Sequence, residues 1–195
     1  MRNIDAEYRW ASAAFRSGRY DEAMSRFEVL KHEAPPFDGL SQHSMAAILE
    51  GGFSSAGVDL EGAIECYRTL AASPAEWGSI GEVGIARVLS RLNRCGHQLE
   101  IEARCKRAIE IDSSIAASYF LGRMYEECRG DHRAARSQYL RMFRHGRPLG
   151  LRWYARSHMS YGSKVIGLIA HVVATLVSPA LFLVNRRVII PDHDR

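Results

Sequence analysis

Ser17-Gly18-Arg19-Tyr20-Asp21-Glu22-Ala23-Met24-Ser25-Arg26-Phe27-Glu28-Val29-Leu30 is the stretch on which the fold class of this 195-residue chain turns. Gly18 ends a helix running from Asp5 to Arg16 at low steric cost. A second helix starts at Tyr20 and reaches Glu33, where Ala34-Pro35-Pro36 cannot continue it. Ala23, Phe27 and Leu30 stand at i, i+4 and i+7, which places one apolar stripe on one face of that helix.

The stripe recurs. Ala63, Tyr67 and Leu70 repeat the spacing, followed by Ile101, Cys105 and Ala108, and then by Ala135, Tyr139 and Met142. The three columns advance together by 40, 38 and 34 residues, a period that belongs to stacked helical hairpins. Small residues in the first column let helices approach closely, and Phe27, Tyr67 and Tyr139 fill the next gap. The fold class expected is all-α: stacked helical hairpins forming a repeat domain over residues 1–146, followed by one hydrophobic helix.

Gly18-Arg19-Tyr20-Asp21-Glu22-Ala23, with Phe27 and Pro35, resembles the second half of a tetratricopeptide motif. Leu99-Glu100-Ile101 through Ala108-Ile109-Glu110-Ile111-Asp112 is similar to the same helix of a third unit. Ala117-Ser118-Tyr119-Phe120-Leu121-Gly122-Arg123-Met124-Tyr125-Glu126 with Gly130-Asp131 resembles the Sel1-like variant. The resemblance covers roughly residues 5–145 and is loosest at the entry to the third unit. Gly78, Gly81 and Gly84 sit there, spaced by three, which is no phosphate cradle. The resemblance implies a concave groove, lined by the first helix of each hairpin, that receives a peptide or a partner's helix. In that frame Tyr8, Ser12 and Phe15 face the groove from the first unit, His43, Arg87 and Arg91 from the second and third, and Tyr119, Arg123 and Glu126 from the fourth. For Tyr8 and Phe15, packing against the next hairpin is the competing assignment. The family's carboxylate clamp needs groove asparagines, and only Asn3, Asn93 and Asn185 are present, so capture of chaperone tails is disfavoured.

Val165 to Val184 is a run of 20 residues without a charge, twelve of them Val, Ile, Leu or Phe. As a helix it would span about 30 Å, the depth of a bilayer's hydrocarbon core. Transfer of its twelve large apolar side chains is worth roughly −4 to −7 kcal/mol on the insertion scale. The expectation is a transmembrane helix at 165–184, preceded by a basic, aromatic juxtamembrane segment at 147–164 and followed by a polar tail at 185–195. Trp153, Tyr154, Arg156, Tyr161 and Lys164 would meet one membrane interface, and Arg186 and Arg187 the other. The heavier positive charge on the N-terminal side would keep the repeat domain in the cytosol. Ala170, Ala174 and Ser178, spaced by four, offer a face for self-association. The competing reading is a buried helix that caps the repeat stack.

Charge is divided unevenly. Residues 1–112 carry a net −4 and residues 113–195 a net +8, which calls for an anionic neighbour. Because the basic residues adjoin the hydrophobic run and no recognition motif is present, anionic lipid is expected and nucleic acid is not. Cys66, Cys95, Cys105 and Cys128 form no Cys-x-x-Cys pair, so no disulfide framework is expected and a reducing compartment follows for residues 1–160. Cys66 and Cys105 read as small core residues. His32, His43, His97, His132, His145, His158, His171 and His193 make no pair at ligand spacing, so no metal or other cofactor is expected. No nucleophile turn or phosphate loop occurs, so no catalytic residue is assigned and an enzyme is not expected. The function expected is a membrane-anchored scaffold for protein–protein interaction. The alternatives are a subunit of a bacterial envelope or polysaccharide export assembly, and a soluble repeat protein with a buried C-terminal cap.

Overall fold

Asn3, Asp59 and Asp131 each open a helix by the same device. A side-chain oxygen accepts the backbone N–H three residues on, at Ala6 (3.1 Å), Gly62 (2.8 Å) and Ala134 (2.9 Å), satisfying a donor that the first helical turn leaves orphaned. At the other end, Gly18 (φ +78°) and Gly130 (φ +63°) hold the left-handed conformation that closes a helix without a Cβ clash. A computed structural model describes residues 3–33, 35–73, 75–145 and 147–186, with backbone alone at 75–76, 148 and 176–186. Among them the chain is all-α. The helices are α1 (Ile4–Arg16), α2 (Tyr20–Leu30), α3 (Phe37–Gly51), α4 (Leu60–Ala71), α5 (Ala75–Asn93), α6 (Gln98–Asp112), α7 (Ile115–Met124), α8 (His132–Arg144), α9 (Pro148–Tyr161) and α10 (Lys164–Arg186). A wider π-helical turn, Tyr125–Arg129, extends α7.

The chain divides into two compact units. Residues 1–93 and 99–114 form the first, and residues 94–98 and 115–195 the second. In the first unit α1 and α2 run antiparallel, since Glu7 pairs with Arg26 while Phe15 meets Tyr20 edge-on. All nine residues of the first three apolar stripes are buried, from Ala23, Phe27 and Leu30 to Ile101, Cys105 and Ala108. The glycines that blur the third unit's entry turn out to lie on a continuous α5. A Cβ at Gly81 would stand 2.2 Å from the Ala71 backbone nitrogen, and one at Gly84 would stand 2.3 Å from the Tyr67 ring. Their absent side chains set the spacing of α4 and α5. Buried Glu82 on α5 accepts from Arg107 (2.9 Å) and Arg104 (3.2 Å) of α6, which offsets the cost of its desolvation.

Cys66 and Cys105 are buried thiols. Burial raises the Cys66 pKa to about 11 and the Cys105 pKa to about 12, because low polarity disfavours the thiolate. Both should therefore resist iodoacetamide at pH 8 in the folded chain and react once it is unfolded. A folded-state pKa raised above the ordinary 9.0 makes a contribution to stability that is complete below that value. It is lost as pH climbs toward the folded-state value, so the denaturation midpoint should fall between about pH 9 and pH 12.

In the second unit, Ala135, Tyr139 and Met142 form the buried stripe of α8. Tyr139 lies against Gly122 of α7, where a Cβ would come within 2.5 Å of its ring. Cys95 and Cys128 are joined by a disulfide with Cα atoms 5.1 Å apart, and beside it Arg94 pairs with Glu127. The expectation of no disulfide framework is thereby corrected. Two cysteines separated by 33 residues carry no local signature, and the pairing arises only when the α5–α6 turn reaches the π-helical turn. A reducing compartment no longer follows from cysteine usage.

The expectation of a single-pass membrane segment at 165–184, and with it the cytosolic placement of the repeats, is also corrected. Among the described residues no helix is long and apolar enough to cross a membrane. The run belongs to α10, and one side of that helix is taken by α9. Gly167 lies so close to α9 that a Cβ would sit 2.6 Å from Met159 Cγ. Ala170 and Ala174 are buried with Leu151 and Ala155. The face expected to self-associate is thus covered within the chain; Ser178 falls outside the described side chains. Ala170, Ala174 and Val177 also continue the stripe spacing, 35 residues after Ala135, Tyr139 and Met142. That fifth stripe was in the sequence, hidden by the apolar residues around it. The expected boundary at 146/147 falls inside the second unit. The outer side of α10 remains open, with Val165, Ile166, Leu168, Ile169, Val172 and Val173 exposed.

Candidate functional site

The first helices of the hairpins carry two clusters in which arginine meets aromatic rings, one in each unit. In the first unit the cluster grows around Glu50, whose carboxylate closes the apolar run Met45–Leu49 at the end of α3 and is 8% exposed. Arg87 of α5 donates to Glu50 Oε2 through Nε (3.1 Å) and Nη2 (2.6 Å). Arg91, one turn on, donates to the Glu50 carbonyl (2.8 Å) and reaches Oε1 (3.4 Å). The Tyr67 hydroxyl donates to Oε2 (3.3 Å) and itself accepts from Arg87. Burial raises the Tyr67 pKa to about 12 despite the adjacent guanidinium, so the hydroxyl stays protonated as a donor.

Two guanidinium groups face one carboxylate, so the cluster retains a net positive charge. Both arginines are part-exposed. His43 lies near enough to Arg87 to feel its charge, and its ring also meets that of Trp77, with centroids 6.4 Å apart. Partial desolvation, and then the charge of Arg87, hold the His43 pKa below the ordinary imidazole value. Near neutral pH its ring is therefore an uncharged donor and acceptor. Trp77 lies flat on α3 because Gly39 beneath it has no side chain; a Cβ there would come within 2.5 Å of the indole.

In the second unit Arg123 of α7 donates to the Tyr119 hydroxyl (3.1 Å), pairs with Glu127, and lies 4.9 Å from the centroid of Trp153. Arg156 of α9 lies 4.9 Å from the same ring. Trp153 also touches Tyr119 and Tyr139, at centroid distances of 5.5 and 5.9 Å. The indole thus has two cations, each 4.9 Å from its centroid, contacts worth roughly 0.5–1 kcal/mol per exposed pair.

These placements sort the residues singled out in the sequence. His43, Arg87 and Arg91 come together, as do Tyr119 and Arg123. Glu126 turns to α8 and accepts from the Tyr139 hydroxyl (3.0 Å). Tyr8 packs on Phe27 and Phe37, and Phe15 on Tyr20, so both serve contacts between helices; Ser12 is half-buried on α1. Of the residues assigned to a membrane interface, Trp153 and Tyr154 pack against the core of the second unit. Arg156 lies by Trp153, Tyr161 stacks on His132 at 3.8 Å, and Lys164 is exposed. The Arg186 side chain and Arg187 lie outside the described residues. Glu50 and Tyr67 were missed as site residues. A lone carboxylate ending an apolar run was the signal available for Glu50.

No protein-family model matches the chain, and neither a curated protein nor a solved structure is detectably similar to it.

Proposed function

We propose that the chain is a helical-repeat interaction module of the tetratricopeptide/Sel1-like kind that receives an acidic, extended segment of a partner protein. Five apolar stripes at i, i+4 and i+7, each on the second helix of a hairpin, support the repeat assignment. The observation that carries the ligand chemistry is the excess of guanidinium over carboxylate at Glu50, Arg87 and Arg91, with His43 near Arg87. Each arginine keeps donors for a partner's carboxylate, and such charge-assisted hydrogen bonds contribute about 1.5–3 kcal/mol apiece. Arg123, Arg156 and Trp153 supply a second surface of the same chemistry. The exposed apolar side of α10 adds area of the kind that marks protein contacts.

A peptide-display selection against the full-length chain tests this. Enriched peptides should carry clustered Asp or Glu, and the double variant Arg87→Gln/Arg91→Gln should bind them at least ten-fold more weakly while keeping its helical circular dichroism. Enrichment of uncharged or basic peptides, or equal binding by the variant, would refute the proposal.

A further inference from the structure

Opposite the buried stripe of α8 lies a cleft of about 400 Å³, lined among the described residues by Ser137, Gln138, Leu140, Arg141, Arg144 and His145. Within it Gln138 Oε1 and Arg141 Nε are shielded from solvent and have no hydrogen-bond partner. Leaving a buried polar atom unpaired costs about 1–3 kcal/mol, and more for a charged group. The usual remedy, a carboxylate from a neighbouring helix, is not at hand among the described residues: Glu126 is engaged by Tyr139 and Glu127 by Arg123. From His132 through Arg187 the sequence contains no Asp or Glu, and the acid just before that stretch, Asp131, is engaged in capping Ala134. Attraction between the last-turn arginines and the helix dipole accounts for an exposed Arg144. It does not account for an Arg141 Nε turned inward without an acceptor.

We propose that this cleft is a binding site for a phosphate monoester. Two guanidinium forks on one helix face match the paired oxygens and double charge of that group, and the Ser137 hydroxyl adds a further donor. Gln138 Oε1 needs a donor in return. A P–OH or a neighbouring alcohol of the ester supplies one, whereas a carboxylate or a nucleic-acid phosphodiester has none on its anionic group. The volume exceeds that of phosphate alone and leaves room for the small organic group that carries it.

Calorimetric titration of the full-length chain with glycerol 3-phosphate should show saturable binding at one site. Arg141→Gln and Arg144→Gln should each weaken it at least ten-fold, whereas Arg152→Gln on α9 should leave it unchanged. In the unaltered chain the Arg141 Nε–Hε resonance should shift during the titration, which keeps the test valid if a variant fails to fold. Sedimentation with phosphatidylcholine vesicles, with and without phosphatidic acid, separates two sources of the same group. Arginine-dependent capture by phosphatidic acid would identify a lipid headgroup, and binding of the soluble ester alone a free metabolite. Lack of saturable binding to either probe, an unmoved Arg141 resonance, or affinity unchanged from the parent in both arginine variants would overturn the proposal. So would binding of polyglutamate or single-stranded RNA that glycerol 3-phosphate cannot displace.

Discussion

Gly81→Ala is expected to lower the stability of the first unit by about 2–3 kcal/mol. The added methyl would stand 2.2 Å from the Ala71 nitrogen and 2.6 Å from the Tyr67 carbonyl oxygen. Both are backbone atoms of α4, so no side-chain rotation relieves the contact and α5 must move away as a body. Alanine's better helix propensity returns about 1 kcal/mol and is already discounted in that figure. The separation would also loosen Tyr67 over Gly84, and through Tyr67 the Glu50–Arg87 cluster. Urea denaturation followed by circular dichroism reads the effect. A variant as stable as the parent would show that α4 and α5 are not held at this spacing.

Breaking the Cys95–Cys128 disulfide is expected to cost the second unit about 4 kcal/mol. In the chain-entropy account that is the closure term for a loop of 33 residues. The Cys95→Ser/Cys128→Ser variant, and the parent in excess reductant, should both unfold at lower urea. Amide hydrogen exchange should quicken most in the second unit, where both cysteines lie, while Ala63–Leu70 of the first should keep its protection. Equal midpoints with and without reductant would show that the two sulfurs do not stabilise the folded chain.

How far the chain could be read in advance differs from element to element. Helix starts and stops were legible because they depend on neighbours in sequence: Gly18 needs only its own positive φ, and the stripe Ala23–Phe27–Leu30 needs only the helical period. Arg87 and Arg91 were picked out by their positions on first helices, and both reach Glu50. Glu50 itself was not picked out. A glutamate at a helix end is ordinary until two arginines from another helix arrive beside it. Tyr8 and Trp153 show the same limit in reverse, since an aromatic ring suits a groove, an interface or a core equally well until its neighbours are known.

Local sequence alone determined that this chain is helical, where most helices end, and which side of α2, α4, α6 and α8 is buried, because backbone sterics and apolar periodicity act over a few residues. Tertiary structure alone decided that Cys95 meets Cys128, that Gly81 and Gly84 set a helix spacing, and that α9 covers one side of α10. Each of these depends on groups far apart in the chain coming within a few ångströms, a distance no local pattern records. The apolar run at Val165–Val184 belongs to both accounts. Its composition dictated a helix, and packing against α9 gave Ala170 and Ala174 a protein neighbour.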